Sequence, residues 1–224
     1  MVQLDGPRLE PRAGGAARAL VVFLHGYGAD GKDLIDIGRA WQPLLPHCAF
    51  VSPHAPEPCG QAPTGRQWFA LTFRDPDERW IGVNKAAPTL ERFIEAELGR
   101  LQLPPSALAL VGFSQGTMMA LHVGLRRTVA PAAIVGYSGL LVLPDGAEPA
   151  AIKPEVRARP PILLLHGDRD DLIPAQALLM SADSLAQLDT PVEWHLSPGL
   201  GHGIDEEGLR QGGEFLARRF SVKR

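Results

Sequence analysis

From residue 19 onward, short apolar runs alternate with longer stretches in which apolar residues recur every three or four positions. The runs cover 19–24, 49–52, 107–111, 132–137, 162–166 and 192–196. Each is short and nearly continuous in apolar character, the pattern of strands covered by helices on both faces. The longer stretches are 30–41, 86–101, 115–127, 174–188 and 208–220. In the second of them Leu90, Phe93, Ile94, Leu98 and Leu101 fall on one helical stripe. Pro174 suits the first turn of the fourth, where its missing N–H is not needed. Strands and helices taking turns predict an α/β fold with a mostly parallel central sheet and helices on both faces.

Two stretches break the pattern. Residues 53–83 and 139–159 are rich in Pro and Gly and read as loops with short strands or turns. Neither is long enough to form a large lid domain. No internal repeat is evident, and 224 residues lie within what one hydrophobic core can organise, so a single domain over 1–224 is expected.

Composition mainly narrows the choice of partners. A formal net charge of -3 gives no electrostatic reason to expect nucleic acid or an anionic membrane. The basic cluster Arg218, Arg219, Lys223 and Arg224 reads as the solvated end of a last helix. No apolar run approaches the roughly 18 residues of a membrane span, and residues 1–15 lack the layout of a secretory signal. The cytoplasm is the expected compartment, with Cys48 and Cys59 as free thiols rather than a bridge.

The strongest chemical signal is Gly112-Phe113-Ser114-Gln115-Gly116, which follows run 107–111 and opens helical stretch 115–127. A serine in a tight strand-to-helix turn is lifted above the sheet, and flanking glycines leave room for the close backbone approach. The helix N-terminus adds positive potential where an oxyanion would form. In a chain with 24 glycines the bare pentapeptide is weak, and its strand-before, helix-after context is what makes it specific.

A serine nucleophile needs a base and an acid, which in this arrangement follow on loops after later strands. Run 162–166 leads into Gly167-Asp168-Arg169-Asp170-Asp171, and run 192–196 leads toward Gly199-Leu200-Gly201-His202-Gly203. His202, flanked by glycines at the carboxyl end of a strand, is the expected base. His47, His54, His122 and His195 have no matching context and read as structural or surface residues. Among the aspartates, Asp168 directly follows a glycine and suits bonding to turn amides. Asp170 is the preferred acid, with Asp168 and Asp171 as alternatives. The backbone N–H groups of Gln115 and of Tyr27, in His25-Gly26-Tyr27-Gly28, are the expected oxyanion donors.

Taken together, Leu24-His25-Gly26-Tyr27-Gly28, Gly112-Phe113-Ser114-Gln115-Gly116, His166-Gly167-Asp168-Arg169-Asp170 and Gly201-His202-Gly203 resemble the phospholipase/carboxylesterase group, which includes bacterial carboxylesterases and eukaryotic acyl-protein thioesterases. The resemblance runs from about Ala19 to the C-terminus. It implies an α/β-hydrolase fold without a lid, no cofactor or metal, esters of short to medium acyl chain as substrates, and homodimers in some members. It also implies that the acid is the second aspartate of its segment, Asp170. Trp68-Phe69 looks like a tryptophan-phenylalanine pair that lies near the acyl pocket in the family, so both are candidate substrate-binding residues; by residue type alone they read as core packing. Two departures bear on substrate rather than reaction. Tyr27 stands where the thioesterases typically have leucine, and 61–77 matches no family segment closely.

These readings predict a serine carboxylesterase acting on small-molecule esters through an acyl-enzyme. Thioester and lysophospholipid hydrolysis use the same triad and differ mainly in leaving group. A binding protein that keeps the fold without turnover is the reading from another class; competent residues at every expected position argue against it.

Overall fold

The protein is described by a computed structural model that covers residues 3–72 and 74–221. Lys223 and Arg224 of the basic cluster lie outside the described residues. In chain order the elements are β1 (Arg8–Leu9), β2 (Ala19–Leu24), α1 (Gly31–Trp41), β3 (Cys48–Val51), β4 (Glu57–Pro58), β5 (Arg66–Gln67), α2 (Glu78–Leu101), β6 (Leu108–Phe113), α3 (Gln115–Arg126), β7 (Ala133–Tyr137), β8 (Ile162–Gly167), α4 (Gln176–Gln187), β9 (Val192–Ser197) and α5 (Glu206–Ser221). Short 3₁₀ turns occupy Pro105–Ala107 and Pro149–Glu155.

Because side chains alternate across a strand, the central strands feed two separate cores. Leu20, Val22 and Leu24 of β2 pack with α2, α3 and α4 on one face, through Leu90, Ile94, Met119, Leu178 and Leu185. Val21 and Phe23 pack with α1 and α5 on the other, through Leu34, Ile35, Trp41, Phe215 and Leu216. This is the α/β-hydrolase architecture, a mostly parallel sheet with helices on both faces.

The sheet runs β1-β3-β2-β6-β7-β8-β9. Within this sheet, among the described residues, only β1 is antiparallel to its neighbour, and β4 and β5 form a separate antiparallel pair. After β2 the chain first turns to β3 on one side and then crosses to β6 on the other, so the strand order reverses between β2 and β6. A crevice opens at such a switch point, beyond the carboxyl ends of the strands. The registers Leu24↔Gly112, Phe113↔Tyr137 and Gly167↔Ser197 bring the ends of β2, β6, β7, β8 and β9 to this rim.

Four features differ from the pattern-based expectation. Helix α2 begins at Glu78, inside the stretch expected to be loop, and it contains both Gly82 and Pro88. Gly82 does not break it, because its missing Cβ makes room for the Phe69 ring. Strand β9 is not covered on both faces: it is the sheet edge, and Trp194 is 52% exposed. Strand β1, too short to show a period, went unanticipated. Arg218 and Arg219 are not merely solvated, since both pair with Glu193 of β9. Among the described residues no helix is long and apolar enough to cross a membrane.

Candidate active site

Ser114 sits between β6 and α3 with φ 53° and ψ -115°, a region that residues with a Cβ avoid. Its N–H donates to the Tyr137 carbonyl at 2.9 Å, and its own carbonyl accepts from the Thr117 N–H at 3.0 Å, so the chain must reverse within one residue. The flanking glycines are steric necessities. A Cβ on Gly116 would overlap the Leu24 carbonyl, and one on Gly112 would overlap the Gly116 carbonyl. A Cβ on Gly26 would stand 3.3 Å from the Ser114 Cβ, which shows how closely the loop after β2 lies against the serine.

Asp170 follows β8 and its side chain is fully buried. One oxygen, Oδ1, accepts the N–H groups of Leu172 and Ile173 at 3.0 and 2.8 Å. The other, Oδ2, lies 2.7 Å from Nδ1 of His202. Of the three aspartates, Asp170 is the one beside the imidazole; Asp168 accepts the Gly199 N–H at 2.6 Å, and Asp171 is exposed. The acid and base loops are stitched together by Asp168 N–H to the Ser197 carbonyl and Arg169 N–H to the Leu200 carbonyl. Gly167 permits this approach, because a Cβ there would overlap the Leu200 and Gly201 carbonyls.

The His202 ring packs against Phe113, the neighbour of Ser114, with centroids 5.0 Å apart. Ser138, just past β7, donates its hydroxyl to the Gly203 carbonyl at 2.9 Å and its N–H to the Leu165 carbonyl at 2.8 Å. The histidine loop is thereby tied to the ends of β7 and β8, next to the strand that carries the serine.

Gln115 is the first residue of α3, where a backbone N–H has no intrahelical partner. The Tyr27 N–H makes no hydrogen bond to any described residue. The neighbouring Cys59 thiol pushes the Tyr27 hydroxyl up to about 12. Both amides are therefore free to meet an incoming oxygen.

Trp68 and Phe69 are 1% and 2% exposed and belong to the core cluster under α2 and α3. Their backbone groups are bound by the Gln115 carboxamide, and the Trp68 indole donates to the His25 carbonyl at 3.0 Å. An open groove of about 490 Å³ is lined by Leu140 to Leu143 and Met180, and also by Arg79, Asp145 and Glu148. Gly139, which precedes Leu140 in sequence, packs closely behind the serine: a Cβ there would stand 2.8 Å from the Ser114 carbonyl oxygen.

Two histidines near the site escaped assignment of a role from sequence. His166, at the end of β8, is buried; its Nε2–H donates to the Ile173 carbonyl at 2.7 Å and lies 3.2 Å from the Asp170 carboxylate. His25 is buried behind the loop after β2, and burial lowers its pKa to about 4. Their motif positions were visible, but nothing local signals which backbone groups an imidazole will meet. Among the described residues no group of three or more His, Cys, Asp or Glu could hold a metal ion.

Comparison with known proteins places this geometry in context. A family model described as Phospholipase/Carboxylesterase matches residues 11–219. The chain is 31% identical over 207 residues to acyl-protein thioesterase 1 of Schizosaccharomyces pombe, covering 87% of this chain and 88% of that protein. It is 28% identical over 195 residues to esterase YpfH of Escherichia coli, covering 87% and 80%. The crystal structure of esterase PE8 superposes with a TM-score of 0.91 at 40% identity, covering 97% of this chain and 99% of that one.

Proposed function

Because the chain belongs to the phospholipase/carboxylesterase family of hydrolases, we propose that it cleaves carboxylic esters of short to medium acyl chain with Ser114 as nucleophile, His202 as base and Asp170 as acid. The observation that carries this reading is the 2.7 Å contact between His202 Nδ1 and the buried Asp170 carboxylate, on a loop packed against the residue preceding a strained serine.

In the proposed cycle the Ser114 Oγ attacks the ester carbonyl while Nε2 of His202 takes its proton. Asp170 keeps the other imidazole proton on Nδ1 and stabilises the imidazolium. The carbonyl oxygen becomes an oxyanion held by the Tyr27 and Gln115 amides. His202 then protonates the departing alkoxide, the C–O bond breaks, and the acyl group remains on Ser114. Water, deprotonated by the same imidazole, attacks the acyl-enzyme and releases the acid.

The apolar side chains of the open groove, Leu140 to Leu143 with Met180, support an acyl chain as the group bound there. Trp68 and Phe69 serve that group indirectly, as buried backing for the oxyanion loop. Two unbridged cysteines support a reducing, cytoplasmic setting.

A second reading, thioester hydrolysis, is favoured by the resemblance over most of the chain to an acyl-protein thioesterase. Rates on matched aryl ester, acyl thioester and lysophospholipid substrates separate the leaving groups. A fluorophosphonate probe tests the shared core of both readings: an adduct on Ser114, absent in Ser114→Ala, is expected, and an unlabelled wild-type protein would remove the proposal.

A further inference from the structure

Behind the loop after β2, a set of buried polar groups satisfy one another. The Ala55 N–H donates to Nε2 of His25 at 3.0 Å, which leaves the ring proton on Nδ1. That proton goes to the Gly26 carbonyl, 2.8 Å away. A trans peptide points its C=O and N–H in opposite directions. Holding the Gly26 carbonyl toward the imidazole therefore turns the Tyr27 N–H of the same peptide away from it.

The circuit continues on the other side of His25. Its backbone carbonyl accepts the Trp68 indole N–H at 3.0 Å. The Trp68 N–H donates to the Gln115 carboxamide oxygen at 2.8 Å, and the carboxamide nitrogen donates to the Phe69 carbonyl at 2.8 Å. The far end of the loop is closed by Gly28 N–H to the Arg66 carbonyl and Arg66 N–H to the Ala29 carbonyl, at 2.9 and 2.7 Å. An apolar side chain of the same size in place of this carboxamide would strand two buried backbone groups, the Trp68 N–H and the Phe69 carbonyl. The carboxamide holds both in a single fixed geometry.

We propose that His25, Trp68 and the Gln115 carboxamide are positioning residues that set the two oxyanion amides, Tyr27 and Gln115, relative to each other. The proposal rests on the oxyanion assignment above and goes beyond it, since all three side chains are buried and their polar groups bond to other protein groups. A loosened circuit would leave substrate binding intact and weaken only the hold on the developing negative charge.

The test compares Trp68→Phe, which removes the indole N–H together with part of the ring volume, with Gln115→Met, which removes the carboxamide and keeps the backbone amide. His25→Asn retains a donor near the Nδ1 position, whereas His25→Gln places its amide near the Nε2 position. Measured for each are kcat and KM on a p-nitrophenyl ester, the thermal midpoint, and Ki for an aryl trifluoromethyl ketone, whose serine adduct carries an oxyanion. Trp68→Phe and Gln115→Met should lower kcat by about tenfold or more and raise the ketone Ki by a similar factor, with KM changed by less than about twofold. His25→Asn should retain more kcat than His25→Gln. Trp68→Phe keeps an aromatic ring and decides the matter if Gln115→Met does not fold. Ser114→Ala separates the two levels. Turnover retained in that variant would remove the underlying reading. With Ser114→Ala inactive, unchanged kcat and ketone Ki in Trp68→Phe would overturn the positioning proposal alone.

Discussion

Oδ2 of Asp170 faces Nδ1 of His202 at 2.7 Å, while Oδ1 of the same carboxylate is held by two backbone N–H groups. Asparagine at this position could keep both backbone contacts but would present its NH₂ to the imidazole. The ring would then carry its proton on Nε2, the atom needed to accept one. Asp170→Asn should lower kcat by about 10⁴-fold, the order expected for an imidazole in the wrong tautomer, while the thermal midpoint stays within a few degrees. Asp168→Ala loses only the bond to the Gly199 N–H and should cost about 1 kcal/mol of stability and much less activity. Equal kinetic losses in the two variants would show that the wrong aspartate has been assigned.

Ser114 holds a backbone conformation that costs about 1–3 kcal/mol for a residue with a Cβ. Glycine relieves that strain and gives back roughly 0.5–1 kcal/mol through the freer unfolded chain. Ser114→Gly should therefore be inactive yet melt about 2–4 °C higher than wild type, corresponding to a net gain near ~1 kcal/mol. A midpoint below wild type in calorimetry would contradict the strain.

Gly116 and Gly201 both flank proposed catalytic residues, but only the first is crowded. A Cβ on Gly116 would overlap the Leu24 carbonyl of the central strand β2, whereas on Gly201 its nearest neighbour would be the Arg169 carbonyl at 3.9 Å. Gly116→Ala should cost about 3 kcal/mol or more, or fail to accumulate as folded protein. Gly201→Ala should stay within about 0.5 kcal/mol of wild type in urea unfolding.

His25 and His122 are both buried, and burial lowers their pKa values to about 4 and about 3. The unfolded chain takes up protons on both near pH 6.5, so between there and about pH 4 it binds more protons than the folded state, and stability rises with pH. Their contribution is fully present above about pH 7 and is lost as pH falls toward 4, each on the order of a few kcal/mol. Nδ1 of His122 has no hydrogen-bond partner among the described residues, so a leucine there leaves no partner stranded. His122→Leu should flatten the acid side of the urea-midpoint profile. An unchanged slope between pH 4 and 7 would sink this account.

Strands β2, β3, β6, β7 and β8 were legible because an interior strand is apolar throughout and its signal is local. The start of α2 was not, since Gly82 looks like a breaker until Phe69, 13 residues away, is seen to fill the space of its missing Cβ. Exposure of Trp194 was also invisible, because an edge strand and an interior strand can share one apolar pattern and differ only in their neighbours.

The amino-acid order alone located the longer strands and the helices apart from the start of α2, and showed that Ser114 lies at a strand-to-helix turn and that aspartates and a glycine-flanked histidine follow on later loops. It left three aspartates open, and it read Trp68 and Phe69 through their side chains. Tertiary structure decided which carboxylate meets the imidazole, across 32 positions of sequence, and bound the backbone of Trp68 and Phe69 to Gln115 more than 45 positions away. Periodicity and turn chemistry act over a few residues, whereas the partner of a buried polar group is chosen by whichever distant segment packs against it.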